Sequence, residues 1–199
     1  MVKEFNVLIS GSGGQGVIAL SEMLGWAALQ EDIPVKGTET LGMAQRGGTV
    51  TSIVRLGTDV YAGLMPVGKC DVLVGMEFAE TLRNAFYLSK SSLVLSSSRR
   101  IFPFTVSSGA SSYPSYEQVL EKLREVAGTV VVVEAEQLAR ESGNPRSENV
   151  VMIGALAGTH RLPVGDETLK NLIKQTFPKQ AEANMKAFDL GYSACQQWL

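Results

Sequence analysis

The residues best placed to do chemistry in this chain are glycines. Gly11-Ser12-Gly13-Gly14-Gln15-Gly16 follows the β-rich run Phe5-Asn6-Val7-Leu8-Ile9-Ser10 and precedes Val17, Leu20, Leu24 and Ala27 at helical spacing. A glycine turn between a strand and a helix allows a tight reversal and leaves bare backbone N–H groups at the helix start, where a phosphate or carboxylate can be held. Gly11, Gly13 and Gly16 satisfy the GxGxxG spacing in that context. Glu39 stands about 20 positions on, where a dinucleotide site wants an acidic partner, although Lys36 and Gln15 sit badly with an ordinary NAD pocket. A second segment, Gly42-Met43-Ala44-Gln45-Arg46-Gly47-Gly48, follows the second strand-like run and so falls at the same carboxyl edge of the sheet. Arg46 offers a planar fork suited to a phosphate, a carboxylate or a partner's acidic group. Each segment also has a plainer reading, as a turn that packs helix on sheet and as a solvated loop arginine.

The rest of the chain offers little catalytic chemistry. Cys70 and Cys195 are isolated, with no CxxC pair, and His160 is the single histidine, so neither a zinc site nor an iron–sulfur cluster can be built from the chain's own residues. Both thiols are expected to be small buried hydrophobes in a reduced, cytoplasmic setting. Glu77 and Glu80 open an amphipathic stretch, where the helix dipole accounts for them. Asn144 and Asn149 flank the start of an apolar run, where helix capping accounts for at least one of them. A thiamine-type GDG with paired asparagines does not occur.

With 199 residues, 45% of them apolar, and a net charge of −2, the chain can bury one sizeable core and is not disordered. It lacks the basic excess that counterion-driven nucleic-acid binding needs. No stretch reaches the ~20 apolar residues of a spanning helix, and the opening Met1-Val2-Lys3-Glu4 predicts no leader peptide. The periodicity predicts strands over 5–10, 33–38, 49–56, 71–76, 92–95 and 129–133. Helices are predicted over 17–27, 78–86, 119–126, 150–157, 169–177 and 180–190, with Asp166 or Thr168 as the cap of the fifth. The serine- and proline-rich stretch 96–115 reads as an exposed loop enclosing at most a short strand at Phe104-Thr105-Val106. These elements make a single α/β domain over 1–199, a three-layer α/β/α, Rossmann-like arrangement with a mostly parallel sheet. The strand at 49–56 follows the second too closely for a helical crossover and must be antiparallel or extend an edge. Trp198 or the loop around Phe102 is expected to leave an apolar patch for a partner.

The paired glycine segments at 11–16 and 42–48 resemble the γ-type subunits of 2-oxoacid:ferredoxin oxidoreductases, and within that group the β subunit of the indolepyruvate enzymes. The resemblance extends through Lys69–Glu77, Tyr113-Pro114, Gly143-Asn144, Asn149–Leu156 and Asn184–Gly191. It implies an accessory subunit, inactive alone, in a hetero-oligomer whose larger partner carries thiamine diphosphate and iron–sulfur clusters. Such a complex oxidatively decarboxylates a 2-oxoacid, reduces ferredoxin and hands the acyl group to coenzyme A. It further implies that Gly11, Gly13, Gly14, Gln15 and Gly16 form one wall of a coenzyme A site and Gln45, Arg46, Gly47 and Gly48 the other. The residues alone leave open an independent dinucleotide-binding oxidoreductase and a purely structural assembly subunit.

Overall fold

A computed structural model describes residues 2–42 and 47–196. Strands β1 (Phe5–Ser12), β2 (Val35–Leu41), β3 (Thr49–Leu56), β4 (Val72–Gly75), β5 (Leu93–Ser97) and β6 (Thr129–Val133) form one sheet in the order β2-β3-β1-β4-β5-β6. β1, β4, β5 and β6 run parallel to one another, while β3 is antiparallel to both β1 and β2. The sheet is therefore mostly parallel, with the strand at 49–56 reversed as its short connection requires.

Alternation along the strands divides the core by face. Val7 and Ile9 of β1, Val72 and Val74 of β4 and Leu93 and Leu95 of β5 point into one cluster, and Leu8, Leu73 and Val94 into the other. The first face is covered by α1 (Val17–Gln30), α5 (Ala135–Glu141), α6 (Glu148–Gly158), α7 (Asp166–Thr176) and α8 (Ala181–Gln196). The second is covered by α2 (Phe78–Arg83) and α4 (Tyr116–Val126), with Phe78, Val119 and Leu123 fully buried. The long connection after β3 crosses this second face and is held there by Arg55. Its guanidinium donates to the carbonyls of Ala62 and Leu64, to Asn6 Oδ1 and to Glu4 Oε1.

Helix α6 is buried at every residue, a placement that demands close neighbours on all sides. Gly154 and Gly158 meet the carbonyls of Phe188 and Tyr192 on α8, and Gly191 meets that of Val151, so the two helices touch backbone to backbone. Cys70 and Cys195 are buried free thiols.

Three local expectations fail. Phe104–Ser107 is a short helix, α3, because Pro103 sits in extended geometry at its start and its carbonyl accepts the first turn's N–H groups. The strand-forming Phe-Thr-Val composition is overruled there by the proline turn. The stretch predicted as one helix over 78–86 breaks at Asn84 into α2 and a 3-10 turn, Ala85–Tyr87. Gly165 stands at the cap of α7, and Thr168 is engaged elsewhere, donating to Glu31.

An alanine at Gly191 would drive its Cβ into the Val151 carbonyl. We expect Gly191→Ala to lower stability by about 1–3 kcal/mol in denaturant unfolding. Gly25→Ala on α1, where the added Cβ meets nothing within 4 Å, should be neutral or stabilising by up to about 1 kcal/mol. Equal effects at the two positions would contradict this packing.

Candidate functional site

β2 is antiparallel to β3 and β3 to β1, so β1 and β2 point the same way and end at the same edge. The glycine segment after β1 and the hairpin loop after β2 consequently meet. Gly13 N–H donates to the Gly48 carbonyl at 2.8 Å, and Gly42 N–H donates to Thr49 across the hairpin mouth. Of the residues expected to form the second wall, Gly47 and Gly48 are brought to this edge, while Gln45 and Arg46 lie outside the described residues, as does Trp198.

The first glycine segment divides into residues that build the turn and residues that leave donors open. Gly11 is needed for close approach, since a Cβ there would stand 2.8 Å from that of Met76. The Gly13 N–H is spent on Gly48. Gln15 is spent as well: its Oε1 accepts from Ser12 N–H at 2.7 Å and its Nε2 donates to the Met76 carbonyl at 2.7 Å, tying the turn to the end of β4. Gly14 and Gly16 remain, with backbone N–H groups that find no acceptor among the described residues. Gly16 has φ 79° and sits at the start of α1, which has no side-chain cap and no acidic residue in its first turn. Its left-handed backbone is one that glycine adopts without cost.

The chain leaves β1 for α1 on one face and leaves β4 for α2 on the other. Between two strands whose connections diverge, an open α/β sheet has a crevice at the carboxyl edge. A cleft of about 460 Å³ opens there, lined among others by Ser12, Gly47, Glu77, Arg83, Phe104 and Tyr113. Glu77 organises it. This buried carboxylate accepts from Glu80 N–H, where it caps α2, from Ile101 N–H and from the Tyr113 hydroxyl. The serine-rich segment is thereby fastened over the edge, with Phe102 packed edge-on against Tyr113. Burial and the adjacent Glu77 carboxylate push the Tyr113 phenol well above its ordinary range, so it stays a donor. The dipole explanation for Glu77 was too small, because two of its three donors come from segments distant in sequence.

Beyond β5, Arg99 pairs with Glu148 in the first turn of α6. Burial raises the Glu148 carboxyl and the Arg99 guanidinium opposes that rise. Neither asparagine caps α6 through its side chain. Ser147 is the cap residue, Asn144 bonds to Asn184 and to Arg146 N–H, and the Asn149 Oδ1 accepts from Val150 N–H. Glu39 is exposed on β2. With β3 inserted, β2 lies two strand spacings, about 10 Å, from β1. That is too far for Glu39 to complete a dinucleotide site at the first glycine turn.

The remaining reactive groups are out of play. Burial raises Cys70 to about 12 and Cys195 to about 11. His160 is exposed at the end of α6, with φ 52°. Among the described residues no group of three or more His, Cys, Asp or Glu side chains could hold a metal ion, and no helix is long and apolar enough to cross a membrane.

Both thiols should therefore resist a thiol reagent at pH 8 in the native protein and react fully in denaturant. Their folded-state values lie above the unfolded one, so their contribution to stability is intact below pH about 9 and erodes as pH rises beyond it. Rapid native labelling would contradict their burial. Tyr113→Phe removes one donor from Glu77 and should cost about 1–2 kcal/mol while speeding amide hydrogen exchange across residues 98–115. Unchanged exchange at Ile101 would show that this bond does not secure the segment.

A family model described as pyruvate ferredoxin/flavodoxin oxidoreductase matches residues 6–194. The indolepyruvate oxidoreductase subunit IorB of Pyrococcus horikoshii is 43% identical, covering 100% of this chain and 99% of that one, and the subunit of the same name from Thermococcus kodakarensis is 41% identical with the same coverage. Among solved structures, pyruvate oxidoreductase subunit PORC from Thermotoga maritima aligns with a TM-score of 0.71 and 24% identity, over 96% of each chain. The 2-oxoglutarate:ferredoxin oxidoreductase from Magnetococcus marinus, with 2-oxoglutarate, coenzyme A and succinyl-CoA bound, aligns with a TM-score of 0.75 and 20% identity. The match covers 99% of this chain and 32% of that one, so this chain spans about a third of the longer polypeptide. At these identities the two structures share its fold.

Proposed function

The chain belongs to the pyruvate ferredoxin/flavodoxin oxidoreductase family, and from that premise we propose that it is the accessory subunit of a hetero-oligomeric oxidoreductase acting on an aryl 2-oxoacid such as indolepyruvate. The larger partner carries the thiamine diphosphate and the iron–sulfur clusters, through which the electrons released on decarboxylation pass to ferredoxin. This chain helps position coenzyme A, which takes the acyl group, and it is inactive alone.

The observation that carries this reading is the hydrogen bond joining the two glycine segments at the carboxyl edge, beside the uncapped start of α1. Coenzyme A bears a diphosphate and a 3′-phosphate, and the open N–H groups of Gly14 and Gly16 suit such oxygens. Gly11, Gly13 and Gln15 shape that wall, and Gly47, Gly48, Gln45 and Arg46 supply the other, the Arg46 guanidinium being the group best matched to a phosphate. The buried, protonated thiols and the exposed histidine support placing the chemistry on the partner. Tyr61, Leu64 and Phe104, which are 86%, 70% and 83% exposed, are apolar surface that a larger subunit would bury.

The test is an assay of the co-expressed pair. Coenzyme A-dependent ferredoxin reduction with indolepyruvate is expected from the pair and none from this chain alone. Arg46→Ala should raise the KM for coenzyme A by about 10-fold or more, the loss of a charge-assisted hydrogen bond, while the complex still assembles. An unchanged KM in an intact complex would favour a purely structural subunit.

A further inference from the structure

Away from the glycine turn, a groove of about 500 Å³ lies between α1 and β2. α1 packs against β1, β2 and β3, and among the described residues no strand continues the sheet beyond β2, so the outer flank of the helix stands over an uncovered strand. Trp26 and Leu29 of α1 are 61% and 51% exposed at this groove, beside Val35 and Val54. Large apolar side chains left this open around a concave surface mark a place that another chain covers. The charged side chains in the lining are Glu22 and Glu39, both exposed and both acidic. Neither is in an ion pair among the described residues.

The strand below the groove is also an open edge. Gly42 N–H donates to the Thr49 carbonyl and Gly57 N–H to that of Pro34, so in this antiparallel ladder the even-numbered residues from 34 to 42 bond inward to β3. Val35, Gly37, Glu39 and Leu41 therefore turn their backbone groups outward, and alternation sets the side chains of Val35, Glu39 and Leu41 on the α1 face. Gly63 closes on the Gly37 carbonyl, which leaves Glu39–Leu41 as the open stretch. Tyr61 and Leu64, on either side of Gly63, carry exposed apolar surface round the same edge. Unpaired edge groups beside apolar pockets are what an extended peptide uses when it adds to a sheet.

We propose that this flank docks an extended segment of the partner subunit, which adds as a strand along Glu39–Leu41, sets an apolar side chain against Trp26 and Leu29 and, two residues away, a lysine or arginine against Glu22 and Glu39. The spacing follows from the pleat, because side chains at i and i+2 enter the same face. A second copy of this chain does not meet the requirement. Its own β2, paired across a two-fold axis, would present the same face and bring Glu39 without a base to an acidic groove, while Lys36 points to the other face. The assignment rests on the accessory-subunit reading above and adds to it a backbone contact at β2, with the charge and spacing that the partner's segment must have.

The test recombines this chain with the larger subunit. Amide exchange over residues 35–41 should slow by about 10-fold or more in the complex relative to the chain alone. Trp26→Ala and Glu39→Lys should each weaken association by about 10-fold or more, with the thermal melting of the variant chains unchanged because both side chains are exposed. Rising ionic strength should weaken wild-type association more steeply than that of the double variant Glu22→Gln with Glu39→Gln. Wild-type affinity in both Trp26→Ala and Glu39→Lys, or exchange over 35–41 as fast in the complex as in the free chain, would overturn the proposal and leave the accessory-subunit reading standing. Self-association of this chain that Trp26→Ala abolishes would overturn it in favour of a second copy. If the two subunits do not associate at all, the accessory-subunit reading fails and this proposal with it.

Discussion

The hydrogen bond from Gly13 N–H to the Gly48 carbonyl is the contact on which the glycine-rich edge depends. It forms because β3 lies antiparallel between β1 and β2, in a register that sets Ser12 opposite Thr49 and Leu41 opposite Val50. A slip of one residue would turn the side chains of β3 to the wrong faces and move Ile53, Val54 and Leu56 out of their clusters. The register that the core enforces is thus also the register that brings the glycine segments together. Gln15 extends the constraint to a third strand by bridging Ser12 and Met76, so that β1, β3 and β4 are locked at their shared end.

That locking explains how a glycine-rich edge can hold a shape. Glycines cost backbone entropy on ordering, and a loop of them is ordinarily mobile. Here the turn's own N–H groups and one glutamine side chain consume most of the available partners, and the serine-rich segment is tied down by a single buried carboxylate with three donors. A site held this way presents donors in a fixed arrangement before any ligand arrives. Binding then loses less to ordering.

Much of the fold was legible because periodicity reports burial. The apolar runs at 71–76 and 92–95 read as strands, and the strands found there, Val72–Gly75 and Leu93–Ser97, are buried throughout, while the apolar run at 150–157 lies in a helix with every residue buried. Short elements were not legible. α5 buries only Ala135 and Ala139, whose small side chains leave almost no periodic signal, and α3 is decided by one proline turn. The glycine edge was legible as two motifs at one end of a sheet. What sequence spacing could not show was which residues spend their hydrogen bonds internally: Gln15 reads as a candidate ligand but is 61 residues from its acceptor Met76. Glu77 is 24 and 36 residues from two of its donors, and no local pattern marks such contacts. Glu39 misled for a related reason, since its distance along the chain suits a dinucleotide site only if β2 sits next to β1.

The division of labour proposed between this chain and a partner rests on the kind of groups it offers. Neutral amide donors and helix N-termini attract an anion without placing a full positive charge beside it, and their strength depends on direction and distance more than on pH. Among the described residues the Tyr113 phenol at the edge is pushed up and held as a donor, the thiols are buried elsewhere, and the Glu77 carboxylate that frames the cleft accepts from three donors. Such an edge offers directional donors, and under the proposed function these orient the phosphates of coenzyme A. Under the proposed function the reactive chemistry is brought to it by the partner, and the exposed aromatic side chains of the serine-rich segment, fastened through Glu77 directly beside the glycines, are the apolar surface next to the cleft that such a subunit would cover.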